Sequence, residues 1–137
     1  MIAQTLTTSF KQQLLLAVHD FSVDTFNIAL YNATASLGAD TTVYTATGEI
    51  TGTGYTATGQ ALTGVTVMVL DTTAYVDFAN PVWTPAAFTC RGALIYNVSK
   101  GNKAVAVLDF GGDKTAVNSF TVSMPANSST TALIRLP

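Results

Sequence analysis

Few residues in this chain could act as a nucleophile or a general base. His19 is the only histidine and Cys90 the only cysteine. A cysteine nucleophile needs a partner base, and a serine triad would also depend on His19, yet the chain has no Gly-x-Ser-x-Gly turn. A single histidine also argues against a histidine-based metal centre. The pattern favours a buried structural cysteine and predicts a protein that is not an enzyme and binds no cofactor or metal.

The carboxylates near turns form two pairs. Asp109 and Asp113 flank Phe110-Gly-Gly112, and Asp71 and Asp77 bracket a second turn. A pair of acids could cleave a glycosidic bond, and Asp109 with Asp113 could hold calcium. Acids at strand ends more often accept hydrogen bonds from nearby backbone amides, and this structural interpretation is the one that we favour.

Arg91 stands where a strand should already be half covered, between Cys90 and an apolar run that ends at Tyr96. A guanidinium in such a place is costly unless it is paired. We therefore expect a structural ion pair between Arg91 and either Asp77 or Asp109. Contact with a partner chain is the alternative.

Three aromatic residues, Trp83, Tyr55 and Phe88, could stack on sugars or bases. Such side chains more often fill a core or a protein interface. The six basic residues form no dense run and the formal net charge is only -2, so we expect neither nucleic acid nor a membrane surface as a partner.

The composition favours strands and association. Hydrophobic residues make up 48% of the 137 residues and charged residues only 10%, where about 25% charged is typical. Thr is about one residue in six, and β-branched side chains fit a pleated sheet. The length suits one domain, residues 1–137. A free monomer with so little charge would be poorly protected against association, so we expect neighbours to cover much of its surface.

The periodicity predicts one helix followed by strands. Ser9 and Gln12 form a capping box, which starts a helix over about residues 9–21. From residue 24 onward apolar residues alternate with polar ones. The predicted strands are Phe26–Tyr31, Thr41–Ala46, Leu62–Leu70, Thr73–Phe78, Ala93–Val98, Lys103–Phe110, Ser119–Met124 and Thr131–Leu136. The fold class is therefore mainly β, an antiparallel sandwich or partly closed barrel of about seven to eight strands with an N-terminal helix.

A five-residue sequence motif occurs twice in the chain. Tyr44-Thr-Ala-Thr-Gly48 recurs as Tyr55-Thr-Ala-Thr-Gly59 in a glycine-rich stretch. Two copies are too few for a solenoid. We expect residues 47–60 to form an exposed arm that contacts another subunit. The predicted interface residues are Gly52, Thr53, Gly54, Tyr55 and Trp83.

Three stretches carry a family resemblance: Gly48–Gly59, Arg91–Asn97 and Ala104–Lys114. Together with a helix that precedes an Ile-Ala-Leu-Tyr strand, they resemble small structural proteins of tailed-phage virions. The resemblance covers most of the chain and implies a β-sandwich repeated many times on the particle. It brings no catalytic residue with it.

The resemblance implies a capsid decoration (cement) protein that binds major capsid subunits and its own copies. Such a protein would be made in the host bacterial cytoplasm and located in the virion. A tail, neck or fibre component is the structural alternative. A small carbohydrate-binding module that uses Trp83 and exposed tyrosines is the alternative from another class.

Overall fold

The computed structural model describes all residues from Met1 to Pro137. The chain forms ten strands, one α-helix and a 3-10 turn at Val98–Lys100. In chain order the elements are β1 (Thr5–Leu6), α1 (Thr8–Leu15), β2 (Phe26–Tyr31), β3 (Gln60–Ala61), β4 (Thr66–Leu70), β5 (Thr73–Asp77), β6 (Val82–Trp83), β7 (Phe88–Asn97), β8 (Lys103–Ala116), β9 (Phe120–Thr121) and β10 (Arg135–Leu136).

The strands form three sheets, and every pair within them is antiparallel. The orders are β1-β8-β7-β2-β3, β10-β5-β4 and β6-β9. The arrangement is sandwich-like, and no sheet closes into a barrel. The predicted mainly β fold with one N-terminal helix is confirmed, and the barrel alternative is not what forms.

The long hairpin of β7 and β8 is the centre of the fold. Its turn uses left-handed backbone at Gly101 (φ 68°) and Asn102 (φ 61°), the conformation that Gly and Asn tolerate best. Ile95 belongs to one buried cluster and its neighbour Leu94 to another. Successive side chains of a strand point to opposite faces, so both faces of this hairpin are covered. That is why residues 93–96 and 104–108, next to its turn, are continuously apolar.

The helix starts earlier and ends sooner than the spacing predicts. Thr7, not Ser9, is the N-cap: its side chain accepts a hydrogen bond from the N–H of Phe10 at 3.2 Å. Thr7 leaves β1 in extended backbone (φ -69°, ψ 149°), which is the geometry that an N-cap needs. The helix ends at Leu15, and Ala17 has left-handed backbone (φ 58°). With eight residues, α1 falls well short of a membrane-spanning length.

Several predicted strands are wrong or misplaced at their ends. Residues 41–46 form a loop with only one isolated bridge, Val43 to Lys103. The strand predicted from Leu62 begins at Thr66, and the last two predicted strands shrink to two residues each. β8 instead continues to Ala116, because Phe88–Cys90 of β7 extends to pair with it. Alternation alone does not tell a paired segment from an extended loop.

Candidate interaction surface

The glycine-rich segment is not a projecting arm. Thr53 bridges to Ala87, and Ile50 is buried beside β2, where its N–H donates to the carbonyl of Leu30 at 3.1 Å. Residues 51–54 and 56–58 are nevertheless exposed. The predicted exposure is present, but the segment lies against the body of the protein instead of forming a separate arm. Its contact with another subunit stays a prediction.

The two copies of the Tyr-Thr-Ala-Thr-Gly repeat both bind the carboxylate of Glu49. The Tyr44 hydroxyl donates to Glu49 Oε2 at 2.5 Å, and the Tyr55 hydroxyl donates to Glu49 Oε1 at 2.6 Å. The N–H of Thr58 also donates to Oε1, at 2.7 Å. Burial, reinforced by the bonds to Glu49, raises the pKa of both tyrosines. Residues 44–59, named the Glu49 clasp from here on, therefore cross-link themselves through charge-assisted hydrogen bonds.

The glycine that ends each repeat allows the clasp to approach the sheet. Gly48 and Gly59 have nearly equal φ values of 80° and 79°. A Cβ at Gly48 would lie 2.7 Å from the Cβ of Ala35, and one at Gly59 would lie 1.8 Å from the carbonyl oxygen of Ile28. Both positions therefore need glycine for conformation and for space.

Trp83 was predicted at an interface, and the structure buries it. Only 4% of Trp83 is exposed, and its ring packs near those of Tyr55, Phe88 and Phe120 at centroid distances of 6.2–6.5 Å. Tyr55 is half buried in the same aromatic cluster. Of the predicted interface residues, only Gly52, Thr53 and Gly54 remain exposed. A flat ring for sugar stacking is therefore not available at Trp83.

The ion pair of Arg91 forms with Asp109, and the alternative partner Asp77 is wrong. Arg91 Nε lies 3.4 Å from Asp109 Oδ1, with 37% and 28% of the two side chains exposed. The pKa of Asp109 is held below its ordinary value, mainly by a hydrogen bond from the N–H of Gly111 and to a lesser extent by Arg91. Asp77 lies on β5, where one carboxylate oxygen is buried without a hydrogen-bond partner in the chain.

His19 and Cys90 lie far apart. The Nδ1 atom of His19 accepts from Asn97 Nδ2 at 3.0 Å, and its Nε2 donates to Gln13 Oε1 at 2.8 Å. Asn97 ends β7, seven residues beyond Cys90, which is about 23 Å at about 3.3 Å per residue. Burial lowers the pKa of His19 and raises that of the Cys90 thiol to about 12. No group of three potential metal ligands occurs.

A continuous row of exposed apolar side chains lies on β4, which the sequence did not identify as a surface. All five residues of β4 are exposed: Val67 to 54%, Met68 to 43%, Val69 to 71% and Leu70 to 51%. The sequence predicts a strand here, over Leu62–Leu70, but an apolar strand pattern does not indicate whether the strand will be covered. Residues 66–77, β4 and β5 with their turn, are named the apolar hairpin from here on.

An apolar groove runs between the apolar hairpin and the end of α1. Its volume is about 320 Å³. One wall comes from the helix end and the turn after it, and the other from β4, β5 and β10. The lining residues are Leu14, Ala17, His19, Asp20, Phe21, Val67, Ala74, Tyr75, Val76, Ile134, Arg135 and Leu136.

Comparisons of the chain with protein-family models, with curated protein sequences and with solved structures found no match.

Proposed function

We propose that this chain is a structural component of a tailed-phage virion, a capsid decoration protein whose apolar hairpin is covered by neighbouring subunits. The hairpin is the observation that carries the proposal. A strand with apolar side chains exposed on both faces and an unpaired edge is a template for association, which soluble monomers avoid.

Energetics support a covered hairpin. Each exposed Å² of apolar surface that leaves water contributes about 25 cal/mol. The exposed parts of Val67, Val69 and Leu70 exceed half of each residue, and β4 carries no charged residue that would oppose its burial. The charged fraction of the whole chain is only 10%. A protein that works inside a close-packed shell can have such a surface, because its neighbours cover it.

The virion assignment itself rests on the sequence resemblance. Two of the three resembling stretches, residues 91–97 and 104–114, lie in β7 and β8, and the third, residues 48–59, lies in the Glu49 clasp. They are the parts that hold the fold together. The resemblance therefore supports a scaffold shared with small structural proteins of tailed-phage virions. The exposed apolar hairpin gives a physical reason for such a scaffold to associate with its neighbours. The proposed partners are major capsid subunits and other copies of the chain.

The position on the particle can be tested directly. Antibodies against the purified chain, with gold labelling and electron cryo-microscopy of particles from cells that encode it, should place many copies over the capsid. Label along the tail or at the neck would favour the alternative structural role. Particles without the chain would contradict a virion function of either kind.

A charge variant tests whether the hairpin makes the contact. The double variant Val67→Lys, Val69→Lys should remain folded yet bind particles at least about tenfold more weakly, because burying unpaired ammonium groups costs more than 1.4 kcal/mol. Val117→Lys is the matched control, since Val117 is 76% exposed and lies outside the hairpin. Equal incorporation of both variants would contradict the proposed contact.

A further inference from the structure

We infer that the partner of β4 is a second copy of this chain, paired antiparallel through β4 about a twofold axis at Met68. The inference rests on the proposed function, because it specifies one of the proposed partners. It concerns the unpaired edge of the β10-β5-β4 sheet.

The backbone of β4 shows which of its groups are open. Val76 of β5 donates its N–H to the carbonyl of Ile134, at 3.0 Å, and so faces away from β4. Val76 is the register partner of Val67. In an antiparallel ladder such a pair does not exchange hydrogen bonds, and the polar groups of alternate residues point to opposite sides. The N–H and C=O groups of Val67 and Val69 therefore point outward from the sheet edge.

These open groups fix the register of a symmetric pair. When Met68 lies on the twofold axis, Val67 faces Val69 of the second copy, and Val69 faces Val67. Each of these pairs can exchange two backbone hydrogen bonds, while Met68 meets its copy in the non-hydrogen-bonded position. The result would be one continuous sheet of six strands, a common size for a sheet.

The side chains are compatible with this register. Val67 lines the groove, and Val69 lies on the same face because side chains alternate along a strand. A row of four valines would therefore extend the apolar wall of each groove across the axis. Asp71, the nearest charge at the turn, would face Val65 of the second copy rather than another carboxylate. A strand without charges meets its own copy without repulsion.

A strand from another protein is the alternative partner of β4, and symmetry favours the second copy. Isologous contacts place the same patch on both sides, so an uncharged apolar edge is its own complement. A standard interface buries about 800 Å² per partner, and one edge strand supplies only part of that area. We therefore expect a dissociation constant on the order of micromolar in free solution, strengthened where neighbouring subunits hold the copies together.

Cysteine cross-linking tests the register. Paired residues in the non-hydrogen-bonded position have Cα atoms about 4.5 Å apart, within the range that a disulfide spans. Met68→Cys should therefore form a disulfide-linked dimer at least about tenfold faster than the exposed control Val117→Cys under mild oxidation. Cys90 should not interfere, because it is buried and its pKa is raised to about 12. Thr66→Cys and Leu70→Cys should cross-link with each other when mixed, and neither with itself.

Sedimentation of the unmodified chain supplies a second measurement that needs no variant. A dimer that grows with concentration, and that the Val67→Lys, Val69→Lys variant abolishes, is the expected result. A monomer at all concentrations, with Met68→Cys no faster than Val117→Cys, would overturn the inference. If the lysine variant then still lost particle binding, the proposed function would stand with another protein on β4. If the chain dimerised as expected but was absent from particles, the proposed function would fail and the dimer would remain.

Discussion

The two hairpins of this protein have similar residues and opposite surroundings. β7 and β8 carry Ala-Leu-Ile-Tyr and Ala-Val-Ala-Val-Leu, all buried, whereas β4 carries Val-Met-Val-Leu, all exposed. The difference is what lies over them. The central hairpin has a cluster rich in aromatic residues on one face, and a smaller cluster that includes Ile2, Leu37 and Tyr44 on the other. Whether an apolar strand belongs to the core or is left for an interface therefore depends on what packs over it and not on its composition.

The largest expected effect comes from the same substitution made in each hairpin. Leu94→Ala should lower the free energy of unfolding by about 2–5 kcal/mol, because Leu94 is fully buried and its loss leaves a cavity. Leu70→Ala should change the stability of the monomer by no more than about 0.5 kcal/mol, since Leu70 is 51% exposed. Urea unfolding at low protein concentration measures both. Equal losses would mean that the apolar hairpin belongs to the core.

Substitutions at two glycines distinguish the packing of the Glu49 clasp from the cost of left-handed backbone. Gly59 and Gly111 have φ values of 79° and 78°, but only Gly59 has a neighbour where a Cβ would lie. Gly111→Ala should cost about 1–2 kcal/mol, the penalty of left-handed backbone. Gly59→Ala should cost about 1–3 kcal/mol more, because the clasp must move off β2. Similar losses for the two variants in urea unfolding would show that the clasp adds no tight packing.

The Glu49 hydrogen bonds should make a smaller contribution. Tyr55→Phe removes a hydroxyl that donates to Glu49 and accepts from the N–H of Leu30 at 2.9 Å. The expected loss is about 1–3 kcal/mol, since buried partners are left unsatisfied. Tyr75→Phe is the matched control, a half-buried tyrosine of β5 outside this network. A loss from Tyr75→Phe as large as that from Tyr55→Phe would contradict the role of the clasp.

The smallest expected effect is a pH dependence at the groove between the two regions. Burial lowers the pKa of His19 from its ordinary value of 6.5, so the unfolded chain binds a proton at higher pH than the folded chain. The free energy of unfolding should therefore fall as pH drops below about 6.5, by at most about 1.4 kcal/mol per pH unit. His19→Gln should remove this slope between pH 5 and 6.5. Because His19 is the only histidine, a slope that persisted in the variant would show that another group causes it.

The sequence correctly predicted what depends on local pattern. Alternation predicts the mainly β fold, and the predicted strands Ala93–Val98 and Lys103–Phe110 leave a turn over residues 99–102. Gly101 and Asn102, which tolerate left-handed backbone, form that turn. Its prediction of an Arg91 pair succeeded because a guanidinium at a covered strand needs a partner. The choice of Asp109 over Asp77 needed the register, which places Asp109 across from Gly92.

Residue types and their periodicity by themselves determined that strands form, where the central hairpin turns and that little charge protects the surface. Tertiary structure alone decided which apolar strands are covered. It brought Tyr44 and Tyr55 together on Glu49, which turned an apparent arm into a clasp, and it enclosed Trp83 among three aromatic rings. It also left β4 uncovered. The physical reason is that burial depends on contacts between residues far apart in the chain, and a local pattern encodes a strand's two faces but not what will lie against them.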